Sequence, residues 1–182
     1  MAPTRIILIR HAEKPSGSNG TQGISLDGNA DPQSLSPLGW QRAGALARLF
    51  CPMAPDSPLR PSVVFAAGVG HGSQSRRPIE TVTPLVALLK ETAPTLFITD
   101  HLKRDRQALL DDALSRDGVV LISWEHKGLP ALVGLVPHEP AASKIWPNHR
   151  FDMIWILDRL HTGWRFSQKP QLLLAGDLAD PI

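Results

Sequence analysis

The stretch IILIRHAEKP (residues 6–15) joins a β-branched apolar run to an Arg-His pair with no spacer. Four consecutive apolar residues, Ile6, Ile7, Leu8 and Ile9, predict a strand buried on both faces, the pattern of a parallel sheet. Arg10 and His11 then fall at its carboxyl end. Taken by itself the pair is either a solvated strand end or the floor of an anion site, and the rest of the chain decides between them.

Downstream, apolar strands and amphipathic helices alternate. SPLGWQRAGALARLF (residues 36–50) predicts a helix with Ser36 as N-cap and Pro37 at the first helical position; Ala43, Leu46, Ala47 and Phe50 share one face. SVVFAA (residues 62–67) predicts a second buried strand, and residues 77–90 a helix that Pro84 kinks. A short strand at 95–99, a helix over 102–116, a strong strand at 118–124 and a short helix in GLPALVGLV follow. FDMIWIL and GWRFSQ read as two strands joined by a turn at His161, Thr162 and Gly163. The last dozen residues carry no clear pattern. The fold class expected is α/β: a three-layer α/β/α sandwich with a mainly parallel central sheet and an antiparallel edge hairpin, in one domain over 1–182. Two loops stand out, a polar one over 16–34 and a Pro-rich one over 137–147. Loops of such length are commonly functional.

Composition narrows the function classes. Hydrophobic residues make up 42% and charged residues 20% of 182, an ordinary globular balance. Lys and Arg number 19 against 17 Asp and Glu, a formal charge of +2, spread along the chain without a basic run. No nucleic-acid partner is expected, while a modest positive field suits a small anion. Cys51 is the lone cysteine and reads as a small buried hydrophobe. No apolar run is long enough for a membrane span or a signal-peptide core, so a soluble, cytoplasmic protein without a membrane partner is expected. His71, in the loop before the arginine motif, reads as exposed rather than pocket-lining, and His101, His138, His149 and His161 show no metal-ligand spacing. Trp124, Trp146, Trp155 and Trp164 suit core or edge packing better than base stacking.

In an open α/β sheet, ligands bind beyond the carboxyl ends of the strands. The first strand ends in Arg10-His11. The second leads through a Gly-rich loop to Arg76-Arg77. The strand at 118–124 runs into Glu125, His126 and Lys127. Two histidines and up to three arginines thus meet at one sheet edge, which suits a multiply charged anion such as phosphate. Neutral imidazole is a competent nucleophile near pH 7 provided that its second nitrogen is fixed by a partner such as a backbone carbonyl. Arginine forks can hold the phosphoryl oxygens.

In four ordered pieces the chain resembles the histidine phosphatase superfamily, also called phosphoglycerate mutase-like. Arg10-His11-Ala12 matches its Arg-His-Gly/Ala tripeptide, and Ser36–Gly39 its Ser-Pro-x-Gly helix opening. RPIET (Arg77 to Thr81) matches its arginine motif with Pro78 in place of Ala. His126 matches the second histidine. The resemblance implies that His11 is the phosphorylated nucleophile and that Arg10, Arg77 and His126 bind the phosphoryl group, with Lys14 adding charge at the rim. It implies neither metal nor cofactor. The chain departs from the family around His126, which lies between Glu125 and Lys127, and in having no Glu in TDHLKRD, near where larger members carry their proton donor. Glu125, Asp100 and Asp105 therefore stand as alternative acids, with Glu125 favoured as a local partner of Arg or His over the acid. The expected activity is metal-independent hydrolysis of a phosphomonoester or a phosphoramidate, with a small phosphorylated molecule or a phosphohistidine protein as partner. A phosphate-binding regulatory module with little turnover and a phosphoglycerate-type mutase are the alternatives.

Overall fold

A computed structural model describes residues 2–16, 20–54, 57–137 and 145–182. Residues 17–19 of the polar loop, and 138–144 of the Pro-rich loop with His138 and Pro140, lie outside the described residues. The elements are β1 (Pro3–Arg10), α1 (Pro37–Phe50), β2 (Val63–Ala66), α2 (Arg77–Lys90), β3 (Leu96–Ile98), α3 (Arg106–Leu114), β4 (Gly118–Trp124), α4 (Leu129–Gly134), β5 (Met153–Leu160) and β6 (Gly163–Pro170). The strands form one six-stranded sheet in the order β3-β2-β4-β1-β5-β6. β1, β2, β3 and β4 pair in parallel; β5 lies antiparallel to both β1 and β6.

The run that opened the sequence reading behaves as its composition requires. Successive residues of β1 point to opposite faces, and both faces are covered. Ile6 and Leu8 join a core with Leu109 and Leu110 of α3 and Leu132 and Val133 of α4. Ile7 and Ile9 join a second core with Leu46 and Phe50 of α1 and Val82, Leu85 and Leu89 of α2. Cys51 is buried in the second core. Trp124, Trp146 and Trp155 are buried in the first, and Trp164 packs against it. No helix among the described residues is long and apolar enough to cross a membrane.

The structure departs from the sequence expectation at α3. The helix expected over 102–116 is confined to Arg106–Leu114. Its anticipated first turn is instead a tight turn in which Asp105 Oδ2 accepts from the Leu102 N–H (3.0 Å) and the Asp105 N–H donates to the Leu102 carbonyl (2.8 Å). Asp competes with helical hydrogen bonding in this way. Helix α2 is continuous through Pro84, which supplies no N–H to the Glu80 carbonyl.

Topology determines what reaches the ligand edge. β5 is antiparallel to β1, so it begins where β1 ends, and residues 145–152 lie at that edge. β6 runs back in the direction of β1, so residues after Pro170 arrive there too.

Candidate active site

His11 sits immediately past β1, and its N–H donates to the carbonyl of Trp124, the last residue of β4 (2.9 Å). The ring is buried. Its Nδ1 lies 2.7 Å from the Ala12 carbonyl, which can only accept, so Nδ1 carries the proton and Nε2 keeps its lone pair. Burial pushes the His11 pKa down to about 3, against the opposing pull of the Ala12 carbonyl, and Arg10, Arg77 and His126 push it down further. The imidazole is therefore neutral at physiological pH.

The backbone beside it is held from two directions. Thr81 Oγ1 accepts from the Ala12 N–H (2.8 Å) and donates to the Arg77 carbonyl (2.7 Å), so the arginine motif positions the loop that carries His11. The start of α1 docks on Glu13. Ser36 donates to the Glu13 carbonyl from both N (3.0 Å) and Oγ (3.1 Å), and caps the helix by accepting from the Gly39 N–H (3.2 Å). A Cβ on Gly39 would fall 2.4 Å from the Glu13 carbonyl oxygen. The Ser-Pro-x-Gly opening is thus a cap followed by a close backbone approach.

Arg10 is 1% exposed. Its Nη1 donates to the carbonyls of Asn148 (2.7 Å), Arg150 (3.0 Å) and Pro147 (3.3 Å), and its Cζ lies 3.7 Å from the Phe151 ring centroid. Burial lowers its pKa to about 10, with Glu13 opposing and Arg77 reinforcing, so it stays charged. Arg77 is half-buried; Nη1 donates to the Pro32 carbonyl (3.0 Å) and Nε is buried without a partner. Burial lowers its pKa against Glu80 and Asp31. Arg76 is exposed and reaches Asp31 at 3.5 Å.

A cleft of about 340 Å³ opens onto His11, with Gln33, Gln74, Ser75, Arg77, Lys103 and Glu125 in its walls. Among the described residues the Glu125 carboxylate forms no ion pair. Asp105 is committed to Leu102, and Asp100 is exposed after β3. Of the three acids, only Glu125 lines the cleft. His126 lines a neighbouring cavity with Asn148 and Trp146. Burial lowers its pKa, Arg10 adds to that, an Asn148 hydrogen bond opposes it, and Lys127 and Lys14 lower it again. Lys14 is exposed and lines neither cavity, though its charge is near enough to lower the His126 pKa. His71 is exposed and lines neither cavity. Among the described residues no group of three His, Cys, Asp or Glu could hold a metal ion.

Protein-family models and curated proteins give no match to this chain. Solved structures do. A mutant phosphoserine phosphatase from Entamoeba histolytica, in complex with phosphoserine, superposes with a TM-score of 0.50 at 14% identity, covering 90% of this chain and 94% of that one. The protein histidine phosphatase SixA complexed with tungstate gives 0.50 at 14% identity, over 92% and 97%. The chain has the histidine phosphatase fold.

Several supports of this site carry no signal in the resemblance. Arg42 of α1 is 3% exposed. It bonds Glu13 through Nε and Nη2 (2.7–3.1 Å), Asp177 through Nη1 and Nη2 (3.1 and 2.7 Å), and Gln171 through Nη1 (2.8 Å). Burial works against its charge, but Asp177 and Glu13 more than offset this and raise its pKa. Arg150 pairs with Asp152 (2.7 Å) and donates to the Asp180 carbonyl (2.9 Å). In this histidine phosphatase fold the C-terminal segment therefore braces both Glu13 and the carbonyls that hold Arg10. Glu80, by contrast, belongs to the RPIET motif; it hydrogen-bonds the Ser34 hydroxyl (2.6 Å) and accepts from the Leu35 N–H (2.8 Å), tying the end of the polar loop to α2.

Proposed function

We propose that the protein is a metal-independent phosphatase that works through a phosphohistidine on His11. One observation carries the reading: Nδ1 is bound to the Ala12 carbonyl while the buried ring stays neutral, which leaves Nε2 as a nucleophile beside Arg77. Nε2 attacks phosphorus, and the bond from phosphorus to the leaving group breaks. Arg10, Arg77 and His126 offset the charge on the phosphoryl oxygens, and most of the rate comes from positioning and electrostatics. The Glu125 carboxyl gives its proton to the leaving oxygen, and its carboxylate takes one from the water that attacks the phosphohistidine. The P–N bond breaks, and inorganic phosphate and neutral His11 are regenerated. A phosphoramidate leaving group is also compatible, since it needs less help from an acid. The two similar structures hold phosphoserine and tungstate, a tetrahedral oxyanion, which supports a small phosphorylated substrate.

The test is hydrolysis of p-nitrophenyl phosphate in EDTA. His11→Ala is expected to lose about 10³-fold or more of kcat/KM; a mutant as active as wild type overturns the reading. A second reading, phosphate binding with little turnover, draws on the three carbonyls that occupy Arg10 Nη1 and on the placement of His126 in the neighbouring cavity. It predicts vanadate binding without turnover of any phosphate ester.

A further inference from the structure

The polar loop returns to the site through residues 31–35, which dock on the first turn of α2. The Pro32 carbonyl accepts from Arg77 Nη1 (3.0 Å), and the Gln33 carbonyl accepts from the Arg76 N–H (3.0 Å). The third contact is Glu80. Its Oε2 accepts from the Leu35 N–H (2.8 Å), and its Oε1 lies 2.6 Å from Ser34 Oγ. Asp31 Oδ2 lies 2.9 Å from the same hydroxyl.

A hydroxyl has one proton to give. Two ionised carboxylates at these distances would leave one oxygen facing a lone pair, in a place where Ser34 is 0% and Glu80 3% exposed. A second proton is therefore required, and the surroundings select its owner. Asp31 is less deeply buried; its Oδ1 accepts from the Gln33 N–H (2.8 Å) and its Oδ2 faces Arg76 Nε at 3.5 Å, so Asp31 is the ionised partner. The donors then close into a chain: Glu80 Oε1–H to Ser34 Oγ, and Ser34 Oγ–H to Asp31 Oδ2. Burial raises the Glu80 pKa against Ser34 and Leu35, and Asp31 adds to the rise. The Gln33 N–H lowers that of Asp31 against the cost of burial. The charged groups facing Glu80 are Asp31 from the loop and Arg76 and Arg77 from its own helix; from α1, the apolar Ala43 and Trp40 pack around Leu35.

We infer that Glu80 works as a neutral carboxylic acid that latches residues 31–35 onto α2, and that losing its proton releases the latch. Ionisation would set two anions on one hydroxyl and drive the loop from the helix. Arg77 would then lose the Pro32 carbonyl that orients its guanidinium. Glu80 is thus a positioning residue that acts on the phosphoryl site through Arg77, engaged at low pH and released as pH rises. The inference rests on the proposed function only in taking Arg77 as a ligand of the phosphoryl group.

Glu80→Gln tests it, because an amide copies the neutral acid: Nε2 donates to Ser34 Oγ and Oε1 accepts from the Leu35 N–H. The infrared difference between wild type and Glu80→Gln at about pH 5 should show the C=O stretch of a protonated carboxyl. Asp31→Asn removes the neighbouring anion and should move the titration of that band to lower pH. Hydrogen-exchange protection of the Leu35 and Arg76 amides should fall about tenfold in wild type between about pH 5 and about pH 9, and hold in Glu80→Gln. Over the same range kcat/KM of wild type on p-nitrophenyl phosphate should fall about threefold or more relative to Glu80→Gln. Absence of the band, equal loss of protection in both proteins, a constant activity ratio, or failure of Glu80→Gln to fold overturns the latch. Failure of the phosphatase reading shows differently: wild type leaves p-nitrophenyl phosphate unhydrolysed at every pH while the band and the protection difference stand.

Discussion

The depressed pKa of His11 couples its protonation to folding, and His11→Asn isolates the effect. In the folded protein the imidazole titrates at about 3, because burial and its cationic neighbours disfavour the charged ring. In the unfolded chain it titrates near its ordinary value of about 6.5. A group whose folded pKa is depressed contributes stability that is present above the unfolded pKa and is lost as pH falls towards the folded one. At pH 5 the unfolded chain has taken the proton and the folded one has not. The gap from 6.5 to 5 spans about 1.5 pH intervals at about 1.4 kcal/mol each, so the wild type should lose about 2 kcal/mol from this group between pH 7.5 and pH 5. Asn has nothing to titrate there, yet its amide can still donate to the Ala12 carbonyl. The measurement is urea unfolding of both proteins at both pH values. Other titrating groups act in both proteins and cancel in the comparison, so wild type should lose about 2 kcal/mol more than His11→Asn. Equal losses would refute a buried neutral His11, and with it the argument that the ring is a ready nucleophile at pH 7.

Three further substitutions probe the site's supports and its acid. Thr81→Val leaves the Ala12 N–H without its acceptor in a buried place; it should cost about 1–3 kcal/mol in urea unfolding and lower kcat/KM, with Thr81→Ser restoring both. Arg42→Met leaves Glu13 and Asp177 facing each other with side chains 13% and 5% exposed, and should cost about 3–5 kcal/mol by the same method. Glu125→Gln should reduce kcat/KM, which reports formation of the phosphohistidine, by about 10²-fold on an alkyl phosphate and spare it on p-nitrophenyl phosphate, whose leaving oxygen needs no proton; equal losses of kcat/KM on the two esters would remove Glu125 from the acid's role.

The central sheet was legible because β1, β2 and β4 are buried on both faces and so appear as unbroken apolar runs. Helices α1 and α2 were legible from their one-sided apolar faces and, for α1, from the Ser36-Pro37 start. The meeting of His11 and Arg77 in one cleft was legible because a parallel sheet delivers its strand ends to one edge. Gly39 and Thr81 lay inside recognised motifs, yet their physical duties needed coordinates. A Cβ clash with Glu13 and a hydrogen bond to Ala12 are contacts between segments about 26 and 69 residues apart, and no local pattern encodes them.

The brace at the C-terminus was illegible for a stronger reason. Residues 171–180 form no helix or strand, so neither periodicity nor burial pattern marks them, and Arg42 looks like any charge on an amphipathic helix. Yet the topology makes a brace at this place necessary. Arg10 brings a cation to a site where its Nη1 is dry, and a dry guanidinium needs acceptors. β1 has parallel β4 on one side, whose end is already engaged by the His11 N–H, and antiparallel β5 on the other. Only β5 starts at the ligand edge, so its preceding turn supplies the Asn148 and Arg150 carbonyls and the Phe151 ring. That turn has free carbonyls because it is irregular, and being irregular it needs an anchor of its own. β6 then returns the chain to the same edge, where Asp177 meets Arg42 and the Asp180 carbonyl meets Arg150. The antiparallel hairpin, which the sequence presented as an edge decoration of the sheet, is thus what places the acceptors for Arg10 and the anchor for those acceptors beside His11.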